Sequence, residues 1–178
     1  MDDEKVTFPQ AFESLYRVLG TPPPAEAVAR LKAAGLDPAK PQISTLPTYV
    51  TAMEIVMATR WPTLSTEAAS LELGRAIMRN YEQTLLGRAV VGMMKVIGPD
   101  RAVQRLTRQL RTVNSYTETR CSPLGPGRYE VWINHVVYPR YYCGVFEEGM
   151  RLAGTTGGAA RVLSREGFQA TFELSWSV

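Results

Sequence analysis

The chain has 178 residues, of which 45% are hydrophobic and 21% charged, and its formal net charge is +3. Those values describe one ordinary globular domain with a core of its own, and the mild charge neither demands nor forbids an acidic partner. The longest uninterrupted apolar run, around Ala89–Met94, is far shorter than the roughly 20 residues a membrane span needs. The opening Met1-Asp2-Asp3-Glu4-Lys5 is acidic and lacks the basic-then-apolar pattern of a signal peptide. Only Cys121 and Cys143 are present, with no CxxC pair, so the expectation is a cytoplasmic protein with reduced thiols.

In chain order, Pro9–Leu19 predicts a short amphipathic helix with Phe12, Leu15, Tyr16 and Leu19 on one face and Gly20 at its end. Thr21-Pro22-Pro23-Pro24 is a stiff connector, and proline suits the first turn of the helix that follows, which carries Val28 and Leu31 and stops at Gly35. After the proline-rich loop Leu36–Pro41, a helix is expected over Pro47–Arg60, with Met53, Val56 and Met57 inward. Trp61-Pro62 halts it, because a residue before proline resists the helical region. Ser65 then caps the longest helical pattern. Leu73, Ile77, Tyr81 and Leu85 step by four, and Leu86, Val90, Met93 and Ile97 continue that face as far as Gly98-Pro99. Gly74, Gly87 and Gly92 each cost such a helix about 1 kcal/mol against alanine. They point either to close approach by a backbone or ligand, or to tight packing and kinks. Asp100–Arg111 predicts a last helix with Val103, Leu106 and Leu110 inward.

Near Thr112 the period changes from 3.6 to two. Val113–Arg120 and Tyr129–Ile133 predict strands joined through the turn-rich Ser122–Gly127. Tyr141–Gly154 predicts a helix with Tyr142, Val145, Phe146, Gly149, Leu152 and Ala153 on one side and a glycine stop. In the last stretch Phe168, Ala170, Phe172, Leu174 and Trp176 alternate with polar residues, as in a strand with one dry face. The fold class expected is α+β: a helical layer over residues 1–111 packed on a four-stranded antiparallel sheet over 112–178. The order there is strand–strand–helix–strand–strand, and no repeat or linker divides the chain into domains.

Several runs carry a resemblance: Gly35-Leu36-Asp37, Leu73-Gly74-Arg75, Tyr81–Ala89, Asn114-Ser115-Tyr116-Thr117-Glu118 and Tyr142-Cys143-Gly144-Val145. On these, the chain resembles a family of paralogous proteins of unknown function numerous in myxobacteria. More distantly, its C-terminal unit is similar to a superfamily of haem-nitric-oxide-binding domains, 4-vinyl-reductase-type ligand domains and core subunits of vesicle-tethering (TRAPP) complexes. The resemblance implies helices on an antiparallel sheet with a hydrophobic ligand space between them, and dimers in some members. It lends a sensory or scaffolding expectation and no reaction.

Tyr116-Thr117-Glu118-Thr119-Arg120 partly resembles the Tyr-x-Ser-x-Arg motif that grips haem propionates. Glu118 replaces the serine, and no histidine precedes His135 to take the iron. His135, Cys121 and Cys143 together match no zinc spacing and lack a fourth ligand. Cys143, at the start of a helix, is either an activated thiol or a small buried one. Gly154-Thr155-Thr156-Gly157-Gly158 follows a helix instead of opening one, so it offers no phosphate nest. Arg101, Arg105, Arg108 and Arg111 form a basic stripe without interleaved aromatics, read as a solvated face, and no nucleic-acid partner is expected.

The expectation from sequence is therefore a non-enzymatic ligand-binding or protein-interaction domain in bacterial signalling or scaffolding. The alternative is a small enzyme of a class the motifs do not identify. No catalytic, metal-binding or cofactor-binding residue is assigned. A pocket for a small apolar ligand is expected between the long helix and the central helix, beside Leu86, Val90, Met93, Met94, Phe146 and Met150. Methionines near glycines make a deformable wall there. A homodimer is expected through Phe12, Leu15, Leu31, Met53 and Met57, read as apolar surface the sheet leaves uncovered.

Overall fold

The change of period near Thr112 does separate helices from the main sheet. A computed structural model describes residues 5–177, and the acidic segment 1–4 lies outside the described residues. Five helices come first, three of them close to where the apolar spacing placed one and two dividing a stretch that it drew as a single helix. They are α1 (Pro9–Arg17), α2 (Ala25–Ala33), α3 (Leu46–Arg60), α4 (Thr66–Tyr81) and α5 (Leu85–Gln104), followed by the short α6 (Leu106–Leu110). Hydroxyl caps start three of them. Thr45 accepts from the Thr48 amide, Ser65 from Ala68 and Thr84 from Gly87.

Two features of this half differ from expectation. Strands β1 (Val6–Thr7) and β2 (Ser44–Thr45) pair antiparallel, so a strand pair does form before Asp100. Two residues are too few for period-two patterning to register, and the pair is made by distant segments meeting. The long predicted helix also breaks, because Thr84 ends α4 and begins α5 at once. Its Oγ1 donates to the Tyr81 carbonyl at 2.8 Å and accepts from the Gly87 amide at 3.0 Å. Gly87 is needed at this break, since a Cβ there would lie 1.7 Å from the Tyr81 carbonyl oxygen. The restart turns Leu85 outward to 82% exposure. Farther on, Gly98, at φ 78° and ψ 169°, kinks α5 just before Pro99.

The main sheet has four antiparallel strands in the order β3-β4-β6-β5. These are β3 (Thr119–Gly125), β4 (Arg128–Ile133), β5 (Thr156–Glu166) and β6 (Gln169–Ser177), with α7 (Pro139–Leu152) connecting the two hairpins. The expected strand–strand–helix–strand–strand order is the one observed, with shifted edges. The Asn114 side chain accepts from the amides of Tyr116 and Thr117, holding residues 113–118 in a turn until β3 begins at Thr119. Ser122, Pro123 and Leu124 belong to the strand instead of the turn. Pro123 is tolerated because β3 is an edge strand and needs no amide on its outer side. Phe168 stands outside β6, 65% exposed in the hairpin turn. From Ala170 onward the alternation holds, and Ala170, Phe172, Leu174 and Trp176 are all buried.

The sheet covers one side of α7, where the Phe146 and Phe172 rings meet edge-on at 5.4 Å. Helix α4 covers the other side. Gly74 of α4 and Gly144 of α7 face each other there. A Cβ on Gly74 would lie 2.0 Å from the Tyr141 carbonyl oxygen, and one on Gly144 would lie 2.1 Å from that of Leu71. Beside this crossing, Arg75 donates to Glu147 through Nε at 2.9 Å and Nη2 at 2.6 Å, and to Glu72 at 2.6 Å. Helices α1 to α4 bury a second core. Phe12, Leu15, Leu31, Met53 and Met57 all belong to it, so the surface expected to drive a homodimer is covered within the protomer. Its burial follows from α1 packing against α3 and α4, with Phe12 edge-on to Tyr49 at 5.1 Å. Among the described residues, no helix is long and apolar enough to cross a membrane.

The crossing gives a sharp test. Gly74→Ala should lower stability by about 3 kcal/mol, because the methyl group meets backbone that cannot rotate away. Gly92→Ala meets nothing within 4 Å and should raise stability by up to about 1 kcal/mol through helix propensity. Denaturant midpoints of the two variants read the contrast; similar midpoints would refute this packing.

Candidate functional site

A cavity of about 120 Å³ lies among α4, α5, α6 and α7, with Leu174 of β6 and Tyr49 of α3 also reaching its wall. Its lining is overwhelmingly apolar. Ile77 and Met78 come from α4, Val90 and Met94 from α5, Leu106 and Leu110 from α6, and Val145, Phe146 and Met150 from α7. Helices α5 and α6 close a side that the sheet does not cover. Neither is one straight rod, given the restart at Thr84, the kink at Gly98 and the second break at Arg105.

Of the residues expected to form the pocket, Val90, Met94, Phe146 and Met150 come together on this wall, and Leu86 and Met93 are not part of it. Met93 is 37% exposed, whereas its neighbour Met94 is buried. The break at Thr84 explains the difference, because the face drawn through Tyr81 does not continue in phase beyond it. Sequence reasoning missed Met78, Tyr81 and Gln109. In sequence Tyr81 reads as one step of an apolar face and as the start of a resembling run, and Gln109, beside the basic stripe, carries no pattern of its own.

The wall has few polar groups, and most are committed. Thr112 Oγ1 donates to the Gln109 carbonyl at 2.7 Å and pairs with the Tyr81 hydroxyl at 3.2 Å, so Tyr81 is the donor of that pair. Ser14 donates to the Gln10 carbonyl at 2.9 Å. The Tyr49 and Tyr141 hydroxyls interact with each other. Gln109 Nε2 is buried with no acceptor among the described residues. Burial raises the pKa of Tyr49 and of Tyr81, and pushes Tyr141 up to about 12.

The other singled-out residues lie away from this wall. Arg120 places its guanidinium 4.5 Å above the Trp132 ring, whereas Tyr116 turns its hydroxyl toward Thr7 at 3.5 Å. The two ends of the haem-like motif thus serve different partners. Cys121, His135 and Cys143 do not converge, and no metal-like cluster of such side chains occurs among the described residues. The Cys121 thiol donates to the Val103 carbonyl at 3.3 Å, and Cys143 is buried. Burial raises the pKa of both thiols, which disfavours a thiolate nucleophile. The His135 ring stands edge-on to Tyr116 at 5.7 Å, its pKa lowered first by burial and then by Lys5. Arg101, Arg105 and Arg108 are exposed, and Arg111 donates to Glu118 and to the Thr117 carbonyl.

The tyrosines set an alkaline limit. Below about pH 10, the ordinary tyrosine value, they are neutral in both folded and unfolded chains and their contribution is intact. From there to about pH 12 the unfolded chain ionises while folded Tyr141 does not, so stability falls as pH rises. The urea midpoint should drop steadily between pH 9.5 and about 11.5, and Tyr141→Phe should lessen the drop. A flat midpoint across that window would show these hydroxyls to be solvated.

Solved structures of similar fold are H-NOX proteins. A doubly substituted Tt H-NOX aligns over 95% of this chain and 92% of its own, at 12% identity and a TM-score of 0.61. An oxygen-binding H-NOX domain related to soluble guanylate cyclases aligns over 95% and 92%, at 13% identity and a TM-score of 0.58. The Fe(II) unliganded H-NOX protein from K. algicida aligns over 96% and 97%, at 9% identity and a TM-score of 0.59. At such identities the likeness is one of fold alone. No curated protein matches the chain. One family profile spans residues 5–177, so the chain belongs to the family described as protein of unknown function DUF2378.

Proposed function

We propose that this protein is a single-domain, non-enzymatic sensor module that binds a small apolar molecule between its helices and its sheet. The observation that carries the reading is the apolar cavity against α7. It is comparable in size with the engineered apolar cavity of about 150 Å³ that takes benzene. Its position supports a signalling role, because α7 joins the two hairpins and also touches α4 through the glycine crossing. A guest against Phe146 and Met150 presses on the one helix that both layers share.

Haem is the group the similar folds bring to mind, since haem is the subject of two further solved structures of similar fold. The residues here do not fit it. The chain's single histidine, His135, is not part of the cavity wall, and neither cysteine is. The tyrosines on the wall hold their protons up to high pH, which opposes ligation as phenolate. Methionine as an axial ligand serves beside a histidine, which this wall does not supply. The space is also far smaller than a porphyrin, and Arg120 is engaged on Trp132, away from it.

Two measurements test the reading. Native mass spectrometry of the purified protein, with displacement of a hydrophobic fluorophore, should find one apolar molecule bound per chain. Met94→Trp should abolish fluorophore binding while costing less than about 1 kcal/mol, because the indole fills existing space; a filled core would instead lose about 1–3 kcal/mol. Absent binding together with a strongly destabilised variant would overturn the proposal. Added haemin should give no one-to-one complex with a sharp Soret band, and such a band would overturn the fit argument.

A further inference from the structure

We propose that the outward face of α5 is a docking surface for anionic phospholipid membranes, with Leu85, Met93 and Val96 entering the acyl boundary and Arg88 and Lys95 meeting lipid phosphates. The proposal goes beyond the binding of a guest and does not depend on the cavity.

A helix that closes one side of a fold ordinarily turns polar residues outward. Helix α5 does so only in part. Val90 and Met94 face the cavity, yet on the opposite side Leu85 is 82% exposed, Val96 86% and Met93 37%. Ala89 and Gly92 are exposed between them, since steps of four, three and four residues from Leu85 to Val96 keep to one face of a helix. The stripe runs about 16 Å along the helix. The other large exposed apolar side chains, Ile43, Leu64, Leu124, Leu163 and Phe168, are spread over loops and the two edge strands. Apolar residues scattered singly on a surface are ordinary, whereas a contiguous exposed stripe marks a contact.

Charge decides what that contact is with. Arg88 and Lys95 lie along one flank of the stripe and are both exposed, Lys95 standing 3.8 Å from Glu82. Residues 85–111 hold six Lys and Arg against a single Asp, so this segment is more positive than the whole chain, whose net charge is +3. Arg101, Arg105 and Arg108 of that set are exposed as well. A helix face apolar at its centre and basic beside it complements the headgroup region of an anionic bilayer. Apolar tips enter the acyl layer there, and long basic side chains reach back to phosphate. A second copy of this chain fits less well. An antiparallel pair centred between Ala89 and Gly92 would bring Arg88 of each copy beside Lys95 of the other, and like charges so placed repel.

Co-sedimentation of the full chain with vesicles decides the matter. Binding to phosphatidylcholine mixed with phosphatidylglycerol should exceed binding to phosphatidylcholine alone by at least about tenfold, because each basic residue near an anionic surface adds roughly fivefold. In about 1 M salt, which screens charges beyond about 3 Å, that preference should vanish. Leu85→Ser with Val96→Ser alters exposed positions only, so circular dichroism should show an unchanged fold. Its binding to the anionic vesicles should nevertheless fall at least about tenfold, as two apolar side chains lose their burial. Arg88→Gln with Lys95→Gln should weaken it by about tenfold or more. No binding to anionic vesicles would overturn the proposal, and so would full binding by the Leu85→Ser, Val96→Ser variant. A dimer in sedimentation that this variant dissociates would assign the face to a second copy instead. Polyglutamate bound where vesicles are not, and released by Arg88→Gln with Lys95→Gln, would assign it to an acidic protein.

Discussion

The structure depends on the crossing of α4 and α7 at Gly74 and Gly144. Both helices approach so closely there that a methyl group on either would lie about 2 Å from a carbonyl oxygen of the other. The contact makes α7 a shared element. One side belongs to the helical layer and the other carries Tyr142, Phe146 and Met150 onto the sheet core. A helix buried on both sides leaves its charged residues little open surface, and α7 carries four of them, Arg140, Glu147, Glu148 and Arg151. Glu148 is buried and paired with the exposed Arg151. Glu147, at the edge of the crossing, is paired with Arg75 of α4, so that ion pair also fixes how the two helices lie.

Close approach on one side of α7 leaves unequal filling on the other. The first part of α4 packs tightly onto α7 through glycine, whereas beyond Thr84 the chain must restart and bend twice to reach β3. Segments that bend do not mesh along a straight helix, and the apolar space beside Phe146 and Met150 lies where α5 and α6 cover α7. Methionines Met78, Met94 and Met150 line it, and their unbranched side chains suit a wall whose shape is not dictated by regular helix packing. The architecture is the one H-NOX proteins have, yet the wall lacks the histidine and the free arginine that haem would need. The shared fold therefore does not by itself specify a haem site here, since function resides in the side chains of the site and not in the fold.

Much of this was legible in the chain itself. Helical spacing over Pro9–Leu19, Pro47–Arg60 and Tyr141–Gly154, and strict alternation from Ala170 to Trp176, placed elements and inward faces correctly. Each reflects a local rule: one face must be dry, and its period reveals the element. Four of the six residues expected around the cavity, Val90, Met94, Phe146 and Met150, follow from the same rule, being the inward positions of two helices that pack on each other. Gly74 left close approach and ordinary packing both open, and only its partner Gly144 tells that a helix comes near, and which one.

Tertiary structure decided what local pattern could not. The break at Thr84 depends on a threonine capping forward and closing backward at once, and it removed Leu86 and Met93 from the cavity wall by shifting the phase of α5. The pairing of Val6–Thr7 with Ser44–Thr45 joins segments too short to carry a period of their own. Burial of Phe12, Leu15, Leu31, Met53 and Met57 followed from helices α1 to α4 closing on one another, so an apolar face read as surface proved to be core. The unpaired amide of Gln109 is the clearest case. A glutamine beside arginines carries no pattern of its own in sequence, and whether its donor finds water or a dry wall is settled only by what packs over it. Local periodicity selects which face of an element is buried; which element covers it, and whether space remains between them, is a property of the assembled layers.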